Sequence, residues 1–243
     1  MPAASPPHSP RRPARVSRRS LLILAALPVP ASAAPEVPAP AVSAPAAAPA
    51  VPAPAAPAVP DGDPTAPIAA LYAALERLMR TGADRPFAER FRQIAPVIDR
   101  VFDLADILTL SVGLRWNSLD DATRARLVKA FRDFTIATYV ANFDSYEGER
   151  FEVLAGQRSV GADRVVATRI IQANGNPVRL DYVMRQLGPR WQVVDVLLDA
   201  TISRVAVQRS DFRALLTNGG AAALIDSLQR KTADLSGGAR LDP

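Results

Sequence analysis

The stretch Trp116 to Glu147, WNSLDDATRARLVKAFRDFTIATYVANFDSYE, decides how the rest of the chain must fold. Ser118 is placed to cap the free N–H groups of a first turn, and Asp120 and Asp121 suit the positive end of a helix dipole. A long helix is expected to follow. Its apolar positions begin on one face, at Leu127, Val128, Phe131 and Phe134, and then broaden through Ile136, Tyr139, Val140 and Phe143. Phe134 and Ile136 are two positions apart and point to different sides. A helix apolar around that much of its circumference needs cover from more than one direction, which we read as a core plus a cavity.

Upstream, the pattern stays helical. Leu71, Leu75, Leu78 and Met79 share one face of a short helix from Ile68 to Arg80. Phe87, Phe91, Ile94, Val97, Ile98, Val101 and Phe102 mark a second helical region, with a break or kink expected at Pro96. Asp103 then heads Leu104 to Val112, which Gly113 stops.

Downstream of Gly148 the period changes from helical to alternating. Strands are expected from Phe151, over Arg164 to Gln172, over Val178 to Leu187 and over Trp191 to Leu198, with turns at Asn174-Gly175-Asn176-Pro177 and Gly188-Pro189. Val178, Leu180, Tyr182 and Met184 share one face of the third strand, and Val194, Val196 and Leu198 one face of the fourth. Helix returns over Ser203 to Leu216, stops at Asn218-Gly219-Gly220, and resumes over Ala221 to Lys231. The fold class is therefore α+β: a four-stranded antiparallel sheet covered by several helices, with an apolar cavity between the two layers.

Charge and composition divide the 243-residue chain into parts. The first 34 residues hold Arg11, Arg12, Arg15, Arg18 and Arg19 and no acid; removing those five from the 29 cations leaves 24 against 24 acids. A neutral remainder gives no electrostatic reason to expect nucleic acid as a partner. The leader, residues 1–34, reads as an export signal: an arginine-rich start, the apolar run Leu21 to Leu27, and small residues at Ala31-Ser32-Ala33-Ala34 for cleavage near Ala33 or Ala34. Ser17-Arg18-Arg19-Ser20-Leu21-Leu22 partly resembles a twin-arginine signal. Residues 35–67 carry 11 of the 23 prolines among Ala and Val and read as a linker. The folded domain is expected over residues 68–235, with a flexible tail from 236 to 243.

Catalytic chemistry finds few residues to use. The single histidine, His8, lies in the leader, and there is no cysteine, so the exported chain has no Ser/His/Asp or Cys/His arrangement and no thiol metal site. No cofactor is implied. Asp195 and Asp199, in or beside a strand, are the two carboxylates that a small cavity enzyme would use. Apolar surface remains, and Ile136, Tyr139, Val140, Phe143, Val178, Leu180, Tyr182, Val196, Leu198 and Ile202 could line a pocket between sheet and helices. A solid core with no ligand, as in an adaptor domain, is the other outcome that composition allows.

Set in order, these pieces resemble the MlaC family, also called toluene-tolerance proteins, and within it the hopanoid-biosynthesis-associated, HpnM-like branch. The resemblance rests on Phe102-Asp103-Leu104, Gly113 and Trp116; on Arg124, Phe131 and Tyr139; on Tyr146-Glu147-Gly148; on Pro177-Val178-Arg179-Leu180-Asp181-Tyr182; on Trp191-Gln192-Val193 with Asp195; and on Ile202-Ser203, Ser210-Asp211-Phe212, Gly219-Gly220 and Leu224-Ile225. It implies a periplasmic carrier, not an enzyme, that holds a phospholipid or hopanoid lipid by its tails with the head group near solvent. The partners it implies are an inner-membrane ABC transporter complex, with an outer-membrane lipoprotein complex as a further candidate. Tyr139, Val178 and Ile202 match positions near the cavity or its mouth. Where many members have Gly-Val-Ser after the last strand this chain has Thr201-Ile202-Ser203, a change that reshapes the entrance.

Overall fold

The structure, a computed structural model, describes residues 62–241. Residues 1–61, where an export signal and most of the linker are expected from sequence, lie outside the described residues, as do Asp242 and Pro243. Four helices come first: α1 (Ala66–Thr81), α2 (Phe87–Val101), α3 (Leu104–Val112) and α4 (Asp121–Asn142), with a short 3₁₀ segment (Gly113–Ser118) before α4. Each of α1, α2 and α3 lies where its apolar face is expected. Asp103 caps α3 by accepting from the Asp106 N–H at 3.0 Å. α2 continues through Pro96, where a break is expected from sequence. Pro96 and Arg92 are both exposed, so the carbonyl deprived of its donor can turn to water.

The cap of α4 is Asp120, not Ser118. Asp120 accepts from the Thr123 N–H at 2.8 Å and from the Thr123 hydroxyl at 2.7 Å. Ser118 donates back to the Arg115 carbonyl inside the 3₁₀ segment. Leu119 packs against the core, which places the extended residue that must precede a helix at Asp120.

Four long strands follow: β1 (Arg150–Val160), β2 (Asp163–Ile171), β3 (Pro177–Leu187) and β4 (Arg190–Leu198). The fifth, β5 (Ile202–Ser203), is one more than the sequence pattern indicates. The sheet is antiparallel throughout, in the order β1-β2-β3-β4-β5. β5 is two residues long, too short for any period to show, and it pairs Leu198 with Ile202. The outer edge of β4 is closed from two directions: by β5 at one end and, at Val193, by the α2–α3 link, where Asp103 N–H donates to the Val193 carbonyl at 3.0 Å.

Register puts the core-facing side chains of neighbouring strands side by side: Val166, Tyr182 and Val196 form one row, Thr168, Leu180 and half-buried Leu198 the next. Thr168 is the polar member of this face. It donates to the Leu180 carbonyl at 2.6 Å, so the Tyr72 hydroxyl, 2.5 Å away, must be the donor to Thr168. Between sheet and helices runs a chain of rings, Phe102, Tyr139, Phe143, Phe151, Tyr72 and Tyr182, with successive centroids 4.8–6.1 Å apart.

The last element, α5 (Arg204–Ser236), packs along α4 and changes course at Gly220, where φ is 65° and ψ is −163°. The sequence stop at Asn218-Gly219-Gly220 is thus a bend between two helical arms. Its two glycines serve different needs. A Cβ on Gly219 would lie 2.6 Å from that of Ala223, while Gly220 occupies backbone space that only glycine enters readily. Gly220→Ala is expected to lower unfolding stability by roughly 1–3 kcal/mol, read as a lower urea midpoint at unchanged slope. An unchanged midpoint would show that the bend is not held in the folded protein.

Candidate functional site

Four elements meet around a cavity of about 80 Å³. From α4 come Phe131, Phe134, Thr135 and Thr138, the i, i+3, i+4, i+7 stripe of one helical face, with Tyr139 beside them. From α3 come Leu104 and Ile107, one turn apart, with Phe102 just ahead of them. β4 contributes Asp195 and Val196, and the first turn of α5 contributes Arg204, Val205 and Gln208. Burial separates floor from rim. Phe102, Ile107, Phe131, Tyr139 and Val196 are buried, whereas Thr135, Thr138, Asp195, Arg204 and Gln208 are half-buried. With Leu104, Phe134 and Val205 also half-buried, the site is a greasy floor under a rim that mixes apolar and polar side chains.

Asp195 fixes the geometry of that rim. One carboxylate oxygen accepts from the N–H groups of Val196, at 2.8 Å, and Val205, at 3.1 Å; the other accepts from the Ser203 hydroxyl. The Ser203 oxygen in turn accepts from the Ala206 N–H at 3.0 Å. A strand carboxylate thus satisfies the free donors of the α5 start and welds that helix to the sheet. Asp199 is exposed in the β4–β5 turn, where Asp199 and Ala200 both have positive φ, 49° and 62°.

Several polar groups of the cavity wall make no hydrogen bond among the described residues, the Tyr139 hydroxyl and the Arg204 guanidinium among them. Burial pushes the Tyr139 phenol well above the ordinary tyrosine range. Burial also pulls Arg204 below the ordinary arginine value, against the opposing influence of Tyr139, Asp211 and Asp195.

The ten residues singled out in the sequence fall into three groups. Tyr139 and Val196 line the cavity. Ile136, Val140, Phe143, Leu180 and Tyr182 are buried behind it, in and around the chain of rings that fills the space between α4 and the sheet. Val178 and Leu198 are half-buried, and Ile202, on β5, is 48% exposed two residues from Arg204. Sequence reasoning left out of the pocket the apolar Phe102, Leu104, Ile107, Phe131, Phe134 and Val205 as well as the polar Thr135, Thr138, Arg204 and Gln208. The signal available for the threonines was two polar residues set in an otherwise apolar stripe of α4.

A broader groove of about 680 Å³ lies elsewhere, along the solvent-facing stripe Ala66, Ala70, Ala73 and Arg77 of α1, with Trp191 and Pro189 at its end. It does not enter the space between sheet and helices. Among the described residues no group of three or more acidic, histidine or cysteine side chains is placed to hold a metal ion, and no helix is long and apolar enough to cross a membrane.

A helix-covered antiparallel sheet with an apolar cavity at the meeting of the layers defines a class of small α+β domains. The sequence matches the MlaC protein family over residues 70–230, two thirds of the chain, and the chain belongs to that family. A phospholipid-binding protein from Ralstonia solanacearum, solved in complex with a phospholipid, has a similar fold: TM-score 0.63 at 18% identity, covering 72% of this chain and 99% of that one. No functionally curated protein matches the sequence.

The buried phenols give this site a pH signature. Burial raises Tyr72, Tyr139 and Tyr182, so the folded state holds these protons more tightly than the unfolded state, and stability is lost as pH rises through the ordinary phenol value of about 10. An ultraviolet titration is expected to show these three ionising only together with alkaline unfolding. Ionisation of all of them near the ordinary value, with the fold intact, would contradict the packing.

Proposed function

We propose that this chain is a non-catalytic lipid carrier of the cell envelope, which holds the apolar part of a phospholipid or hopanoid-type lipid between α4, α3, β4 and the first arm of α5. The observation that carries this reading is the apolar floor of Phe102, Phe131, Tyr139 and Val196 beneath a partly polar rim, in a chain of the MlaC family. The phospholipid held by the similarly folded Ralstonia solanacearum protein supports it.

A cavity of about 80 Å³ is smaller than the roughly 300–1,000 Å³ of sites for small molecules. Lipid tails therefore enter only as the walls part. Every buried methylene gains about 0.8 kcal/mol, so two acyl chains or a polycyclic triterpenoid supply ample free energy for that opening. The first arm of α5 has room to tilt about its Asp195-held first turn, because Gly220 at its far end accepts backbone angles other residues avoid. As it moves, Ile136, Val140, Phe143, Leu180 and Tyr182 become the deeper lining, flanked by Val178 and Leu198, and exposed Ile202 forms a lip at the entrance.

The carboxylates favour carriage over catalysis. Both oxygens of Asp195 are engaged in holding α5, and Asp199 is exposed. The leader of residues 1–34 supports export to the periplasm, with the Ala/Pro-rich residues 35–67 as a tether or spacer. There the carrier receives or delivers its lipid at an inner-membrane ABC transporter complex, and an outer-membrane lipoprotein complex is the counterpart across the periplasm. The HpnM-like branch makes a hopanoid the finer alternative to a phospholipid.

Mass spectrometry of an organic extract of protein purified without a delipidation step is expected to find phospholipid or hopanoid at near-stoichiometric amounts. Thr138→Trp, which fills the cavity from its rim, is expected to reduce the bound lipid several-fold while the circular dichroism spectrum is kept. A lipid-free wild type, or full occupancy in Thr138→Trp, would contradict the carrier reading of this cavity.

A further inference from the structure

Arg204 occupies a position that costs free energy on two counts and leaves its donors open. It is the first residue of α5, where the helix dipole disfavours a cation. It is half-buried beside an apolar floor, which disfavours its charge. Its guanidinium, with five N–H donors, meets no acceptor at hydrogen-bond or ion-pair distance among the described residues. Most other arginines of the domain are paired or fully in water. Arg185 binds Asp163 and Asp106, Arg132 binds Asp99, and Arg179 binds Asp181. Asp211 and Asp195 both act on its charge, yet neither pairs with it, and Asp195 already spends its oxygens on Val196, Val205 and Ser203.

We propose that Arg204 anchors the phosphate of the bound lipid, so that the cleft selects lipids with an oxyanion next to their tails over neutral lipids with the same tails. This rests on the carrier reading above and names its ligand class. The guanidinium stands at the rim while the floor below is apolar, so a lipid with its tails inward brings its phosphodiester to the height of Arg204. A guanidinium fork grips two such oxygens in parallel, which neither a hydroxyl nor a hydrocarbon head can reproduce. The Tyr139 hydroxyl, unbonded in the same wall, is a second donor toward that oxyanion.

The test presents the purified full chain with vesicles containing equal amounts of dioleoyl phosphatidylglycerol and dioleoylglycerol, then quantifies the lipid on the re-isolated protein. The wild type is expected to favour the phospholipid by about tenfold or more, the worth of a charge-assisted hydrogen bond. Arg204→Gln is expected to bring the ratio near one while dioleoylglycerol is still taken up. Arg204→Lys should fall between, which keeps the test decisive if the glutamine variant does not fold. Arg213→Gln, exposed on the same helix, should match the wild type. Equal uptake of both lipids by the wild type, or parallel loss of both in a folded Arg204→Gln protein, would overturn the anchor. Uptake of neither by the wild type would overturn the carrier reading and the anchor with it. Thermal protection of the wild type, but not of Arg204→Gln, by millimolar inorganic phosphate, without lipid preference, would assign the site to free phosphate and overturn the lipid anchor.

Discussion

Everything in this domain depends on covering α4 from two sides at once. Its sheet-facing side meets a continuous run of rings, from Tyr139 and Phe143 through Phe151 and Tyr72 to Tyr182. Its other side, the stripe Phe131, Phe134, Thr135 and Thr138, faces α3 and the first arm of α5, where close packing gives way to a cavity. Tyr139 belongs to both. Its ring stacks with Phe143 in the core while its hydroxyl looks for a partner in the cavity wall.

The second cover has to be attached without being locked. Asp195 does the attaching, since one carboxylate on β4 serves the backbone donors of Val196 and Val205 and the hydroxyl of Ser203. At the far end, Gly220 lets α5 turn, so the second arm can pack Leu224, Ile225 and Leu228 into the core independently of the first. A helix pinned at its start and bent at its middle is a wall with a fixed base, and the cavity lies next to that base.

Much of the fold was legible from sequence. Apolar spacing located α1 to α4 and the four long strands, because each buries one face against a single layer and so keeps a clear period. Local chemistry was less legible. Ser118 and Asp120 are both good caps, and the choice between them depends on where Leu119 packs, a tertiary contact that no local pattern contains. β5 escaped because two residues have no period. Tyr139 and Val196 line the cavity, but Ile136, Val140, Phe143, Leu180 and Tyr182 have the same sequence signature as cavity lining and as core. Only their burial away from the cavity distinguishes them. Arg204 escaped for a different reason: a lone arginine in a chain with many reads as surface until its missing partner is seen in three dimensions.

The central claim is that the space between α4, α3 and the first arm of α5 opens to receive lipid tails. A crystal structure of the chain grown with a phospholipid tests it most directly. The account predicts tails lying against Phe131, Tyr139 and Val196, with α5 displaced and the cavity enlarged from about 80 Å³ to several hundred. Lipid held instead along the α1 groove at Trp191 and Pro189, with the floor residues and α5 unmoved, would contradict it.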